Sequence, residues 1–217
     1  MSAPIILAFD TSAAYCGAAL LSGDQIIAAR HDEMAKGQAE HLFALLEDVL
    51  NSAGAGWREL TALAVGIGPG NFTGIRISVS SARGLALSLG VPAHGVSNLE
   101  ALSQGTAGPV LACLDARRES VFVQGFGGAE PLHAAHMDVG ALPAALSCAN
   151  LKCVGSGADM VAQAIGAKVY PAALAPAAAI ARIAARRNSG DVPRPAPLYL
   201  RAADAKPSST PPPAILP

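Results

Sequence analysis

At 217 residues the chain is long enough to bury a substantial core, as one large domain or as two small lobes. Its hydrophobic fraction is 52% with only 4% aromatics, so the interior must be built from Ala, Leu, Val and Ile, with Gly permitting close packing. A formal charge of −1, a pI near 6.5 and the lack of any Lys/Arg run argue against an unaided grip on nucleic acid; Arg117-Arg118 and Arg186-Arg187 are isolated pairs.

In chain order, Ile5 to Phe9, Cys16 to Leu21 and Gln25 to His31 read as three antiparallel strands, with turns at Asp10-Thr11-Ser12 and Ser22-Gly23-Asp24. From Gln38 to Ser52, Leu42, Leu45, Leu46, Val49 and Leu50 recur at helical spacing, and Gly54 and Gly56 end the helix. Leu60 to Ile67 is a nearly continuous apolar run, as expected of a strand covered on both faces. Gly68-Pro69-Gly70-Asn71 leads into a second helix over Thr73 to Leu89, stopped by Gly90-Val91-Pro92. Val110 to Leu114 and Ser120 to Phe126 are further strands, and Pro131 to Asp138 is a third. A helix over Val139 to Cys148, a strand over Leu151 to Val154, and helices near Asp159–Ile165 and Pro176–Arg187 complete the series. "AKPSSTPPPAILP" after Asp204 lacks hydrophobic periodicity and is expected to be a disordered tail.

The chain echoes itself. "IILAFDTSAAYCGAALL" and "VLACLDARRESVFVQGF" share an apolar strand, an Asp at its end, a short turn and a second strand. This predicts a duplicated α/β fold with a cleft between the lobes: a first lobe over 1–106, a smaller second over 107–203, and the tail over 204–217. Cys16, Cys113, Cys148 and Cys153 have no C-x-x-C spacing and sit among small apolar residues, which favours buried thiols. No basic leader and no run of roughly 18 apolar residues is present, so a soluble cytoplasmic protein is expected.

Asp10, Thr11 and Ser12 end a buried strand where a carboxylate can hold hydrated Mg²⁺ and turn groups can cradle phosphate. The same residues can equally satisfy the turn's own backbone. Asp115 and Arg117 occupy the mirrored place in the second half. "GIGPGNFTGIR" puts Gly68 and Gly70 at a helix entrance, open either to an anion or to a tight turn capped by Asn71 or Thr73. It is neither a P-loop nor G-x-G-x-x-G. The second helix is apolar or small over most of its circumference, which suits a core helix or one whose second face meets another subunit. His41 has Gly37 and Leu45 at i−4 and i+4, and His133 and His136 have odd spacing, so no helical metal pair is predicted.

Together with "AEHLFALLEDVL", "VGSGA" and "PLYLR", the segments "ILAFDTSAAYCGAALL", "GIGPGNFTGIRISVSSARGLALSLGVPAHGVSNLEAL" and "LDARRESVF" closely resemble the TsaB (YeaZ-like) family from about Ile5 to Arg201. The resemblance implies an actin-like, acetate-and-sugar-kinase-type α/β fold of two ribonuclease-H-like lobes. It implies a non-catalytic partner subunit in making threonylcarbamoyladenosine beside the tRNA anticodon, binding and activating a TsaD-type catalytic subunit and joined by a TsaE-type ATPase. tRNA would be met only through the complex, and the free chain would pair with a second copy. The interface carried over is His41, Leu42, Leu45, Leu46, Val49, Arg76, Ile77, Ser80 and Ser81. No tightly bound cofactor or metal is expected; ATP or ADP would lie at the joint with the catalytic subunit, and a degenerate phosphate site would use Asp10, Thr11, Ser12, Gly68, Gly70, Asp115 and Arg117. Asn71 stands where the family more often has Ser. Two other readings are an actin-fold phosphotransferase using Asp10 and Asp115, and a glycoprotease-type metalloprotease.

Overall fold

The computed structural model describes residues 3–128, 132–142, 146, 150–187 and 192–201. The first sheet holds β1 (Ile5–Asp10), β2 (Tyr15–Ser22), β3 (Gln25–Glu33), β4 (Ala62–Gly66) and β5 (Ala93–Val96), in the spatial order β3-β2-β1-β4-β5. β1–β2 and β2–β3 are antiparallel, while β1–β4 and β4–β5 are parallel. Both faces of this sheet are covered, which is why β1 and β4 are apolar at nearly every position rather than alternating. On one face lie α1 (Gln38–Ser52) and α2 (Phe72–Leu89), over a core of Leu7, Phe9, Leu20, Leu63 and Val65. α2 is capped by Asn71, whose side-chain oxygen accepts the Gly74 amide at 2.9 Å, and ended by Gly90 in the left-handed conformation.

The second sheet repeats the plan. It holds β6 (Val110–Asp115), β7 (Ser120–Phe126), β8 (Ala135–Asp138), β9 (Lys152–Val154) and β10 (Lys168–Tyr170), in the order β10-β9-β6-β7-β8. Read from β8 to β10, its pairings are antiparallel, antiparallel, parallel and parallel, the sequence found from β3 to β5 in the first sheet. The duplicated α/β fold anticipated from the paired strand–Asp–hairpin segments is therefore present as a topology, not only as a likeness of two segments. α4 (Ala158–Ile165) packs against β6 and β9 over Leu111, Cys113, Cys153 and Val161.

The remaining helices cross between the halves. α3 (Asn98–Ser103) lies on β6 and β7, with Leu99 packed among Ala112, Ala116 and Phe122. α5 (Pro176–Arg186) returns to cover the other face of the first sheet, where Ala179, Ile180, Ala181, Ile183 and Ala184 meet Ile6, Ala8 and Leu21. The lobe division near residue 106 is thus corrected: the helix at 176–186 belongs by packing to the first sheet, because β1 and β4 would otherwise leave an apolar face bare. Arg187 ties α5 to α3 through both oxygens of Glu100.

Where a helix was expected over Val139 to Cys148, the described residues hold a 3₁₀ turn at Val139–Ala141, and most of the rest falls outside the described residues. β5, α3 and β10 were not anticipated from periodicity. Cys16, Cys113 and Cys153 are buried free thiols, with burial pushing Cys16 up to about 11. Cys148 and the expected tail over 204–217 lie outside the described residues. No helix among the described residues is long and apolar enough to cross a membrane.

Candidate partner-docking face and interlobe cleft

The turn after β1 is closed by the chain's own atoms. Asp10, Thr11 and Ser12 are 0%, 0% and 2% exposed. Asp10 accepts hydrogen bonds from the hydroxyls of Ser12 (2.7 Å) and Tyr15. Thr11 donates to the Gly74 carbonyl at 2.7 Å, and the Asn71 amide donates to the Ser12 carbonyl at 2.6 Å. Asn98 donates to the Ser12 hydroxyl and to the Pro69 carbonyl. α2 enters so closely that a Cβ on Gly74 would lie 1.9 Å from the Thr11 carbonyl oxygen, and one on Gly70 would lie 2.5 Å from that of Ser12. Those glycines serve close backbone approach between α2 and the turn.

The carboxyl of Asp10 is held above the ordinary carboxylate range. Burial outweighs the Tyr15 and Ser12 hydrogen bonds that favour its charged form. Its second oxygen has no partner, and neither does the side-chain oxygen of Asn98; both face the α-carbon of Gly66. Asp10 and Thr11 are thus a structural knot joining β1, α2 and α3. Asp10 and Thr11 are sealed from solvent, and Gly68, expected beside them in a phosphate site, is buried as well.

Outside the knot lies a cleft of about 1500 Å³ between the lobes. It brings together Ser12, Gly70, Asp115 and Arg117, but not Asp10, Thr11 or Gly68. On the second lobe Asp115 is exposed, accepts the Arg117 amide at 2.7 Å and donates its own amide to Ser156 at 3.1 Å. Arg117, Arg118 and Glu119 all have positive φ (66°, 52° and 57°), a left-handed turn that costs non-glycine residues free energy and aims Arg117 at the cleft. The two Asp residues share a place in the topology but not an environment. One is sealed and the other is wet.

α1 and α2 lie side by side, and their surfaces differ from the expected interface. Leu42, Leu45, Leu46 and Val49 are at most 1% exposed and fill the core over β1 and β2. They are corrected to core residues, since a partner cannot touch side chains already covered by the sheet. Ile77 is partly buried against the same core, Ser81 is half-buried, and His41 pairs with Asp32 at 2.7 Å. Arg76 and Ser80 are exposed.

The solvent face of α2 runs through Phe72, Arg76, Ser80, Arg83 and Leu87 at spacings of four, four, three and four, one continuous strip. Leu87 is 84% exposed, and Phe43 on α1 is 46% exposed. Neither was singled out from the sequence, although a Leu at 87, off the buried face of α2, was a usable sign. α2 contains no acidic residue, so Arg76 and Arg83 set the sign of this face. Among the described residues no cluster of three or more His, Cys, Asp or Glu is placed to hold a metal.

Residues 32–151 match the family model of the tRNA N6-adenosine threonylcarbamoyltransferase TsaD. The tRNA threonylcarbamoyladenosine biosynthesis protein TsaB of Escherichia coli (strain K12) is 37% identical over 122 residues, 54% of this chain and 52% of that protein. The chain thus matches about half the length of that relative. An uncharacterised protein of Mycobacterium tuberculosis (strain ATCC 25618 / H37Rv) is 32% identical over 209 residues, covering 93% of this chain and 94% of the other. Among solved structures, YeaZ from Pseudomonas aeruginosa superposes with a TM-score of 0.76 at 28% identity, over 91% of this chain and 100% of that one.

Proposed function

The chain belongs to the TsaB (YeaZ-like) proteins of the TsaD family, and from that premise we propose that it is a docking subunit for tRNA threonylcarbamoyladenosine synthesis. Its partner is a TsaD-type catalytic subunit, which it activates for threonylcarbamoyl transfer to the adenosine beside the anticodon. A TsaE-type ATPase joins the pair, and a second copy of the chain covers the same face when the partner is absent. tRNA is met through the complex, in keeping with a net charge of −1.

One observation carries the reading: α2 exposes Phe72, Arg76, Ser80, Arg83 and Leu87 to solvent, and α1 exposes Phe43. Aromatic, Leu and Arg side chains around small residues make a surface that packs closely and binds a carboxylate at two points. The sealed Asp10 turn points away from bond chemistry in this chain, because a group with no route to substrate cannot act on it.

The test is co-purification of the full chain with its cognate TsaD-type subunit. Leu87→Glu places a carboxylate in the docking face without touching the core, and should abolish the complex while the free chain keeps its melting temperature. Ile77→Glu is the poorer probe, because Ile77 also packs against the protein's own core. An undiminished complex with Leu87→Glu would move the interface elsewhere.

A further inference from the structure

Residues 192–201 cross the molecule as an extended strap that is neither helix nor strand. The strap is anchored at three places. Pro195 packs over Gly95, where a Cβ would lie 3.3 Å from the Pro195 side chain. The Leu198 amide donates to the Ile67 carbonyl at 2.7 Å, just past the end of β4. Tyr199 then stacks on Phe72, with ring centroids 5.4 Å apart, and its hydroxyl accepts a hydrogen bond from Arg76 Nε at 2.9 Å. The Arg76 guanidinium lies 3.8 Å over the Phe72 ring, so three side chains at the entrance of α2 clasp one another.

The clasp has two properties that an ordinary core contact lacks. It is exposed: Phe72 is 53% and Tyr199 48% accessible, so water competes for every contact in it. It is also shared. Arg76 belongs to the uncovered strip of α2, while Leu198, Tyr199, Leu200 and Arg201 form one wall of the interlobe cleft. Arg76 gives Tyr199 a hydrogen bond to a neutral oxygen. A partner carboxylate would offer the same guanidinium a charge-assisted, two-pronged bond, roughly twice as strong.

We propose that the 192–201 strap is a latch, and that a partner carboxylate at Arg76 releases Tyr199 and thereby loosens the strap that walls the cleft. The inference rests on the docking reading of α2 and adds its regulation: occupancy of the helix face is linked to the strap's hold on the wall of the cleft. Linkage is reciprocal, so whatever loosens the strap also strengthens docking.

Hydrogen–deuterium exchange on the full chain, with and without the TsaD-type subunit, reads the latch at the Leu198 amide. Exchange there should rise when the partner docks. Tyr199→Phe and Tyr199→Ala, which open the latch beforehand, should tighten docking on the order of fivefold, the low end of coupling between sites. Unchanged or slower exchange at Leu198 on docking, or weaker docking by Tyr199→Phe, overturns the latch. If the complex forms and Leu87→Glu abolishes it while Leu198 stays protected, the docking reading stands and the latch alone fails. If the wild-type chain forms no complex, both fall.

Discussion

Asp10 is the residue on which a catalytic and a structural account of this chain part company. An Asp closing a buried strand before Thr-Ser reads as a phosphate or metal ligand as readily as a turn residue, and only its three-dimensional surroundings decide. They enclose it completely, and its carboxyl is raised by burial. A group whose folded pKa exceeds its unfolded value contributes stability that is fully present below about pH 4 and lost as pH rises through the folded value. Asp10→Asn should therefore stabilise the chain at pH 7 by about 1 kcal/mol, since the amide can keep the bonds from Ser12 and Tyr15 and donate to the unpartnered Asn98 oxygen. It should also flatten the decline in thermal stability that sets in above about pH 4, as pH rises through the raised folded value. Thermal melts across that range check it, and strong destabilisation at pH 7 would mean that the charge is needed. The repeat pairs Asp10 with Asp115 correctly by position. What it does not convey is that Gly70 and Gly74 let α2 close over one of them and that nothing closes over the other.

At the scale of the element, α1 and α2 show what an apolar stripe does and does not say. The heptad-like run Leu42, Leu45, Leu46, Val49 announces that some surface covers it, and a sheet of the same chain satisfies that requirement as well as a partner does. The proposed docking face is legible instead in the exceptions: Phe43 and Leu87 lie off the stripes, where a solvent-facing helix ordinarily carries polar residues. The two classes should separate cleanly by experiment. Leu42→Ala should cost about 2–5 kcal/mol of stability, as for a buried leucine. Leu87→Ala should leave stability within about 0.5 kcal/mol and weaken docking. Chemical denaturation alongside a binding assay distinguishes them; equal effects of both on stability would contradict the assignment. Long periodic elements, β1 to β4 and both of these helices, were legible in the sequence. β5, β10 and α3 were not, since four, three and six residues are too few to display a period.

For the whole molecule, the consequence of duplication is that neither half is self-sufficient. α3 leaves the first segment of chain to pack on the second sheet, and α5 comes back to cover the first. Sequence order alone suggests a boundary near residue 106, because nothing in an Ala-rich helix names the sheet it will cover. A fragment ending at Thr106 would leave Ile6, Ala8 and Leu21 without the Ala179–Ala184 face, and should not unfold cooperatively; a sharp calorimetric transition for that fragment would contradict the packing described here. The same interleaving places α2, the strap and the cleft in mechanical contact, as a subunit that works through a neighbour would need. The most direct test is threonylcarbamoyl transfer to tRNA by the cognate TsaD-type and TsaE-type proteins, measured with this chain, with its Leu87→Glu variant, and with neither. Modification only in the presence of the unaltered chain is the predicted result, and equal modification in its absence would contradict the account.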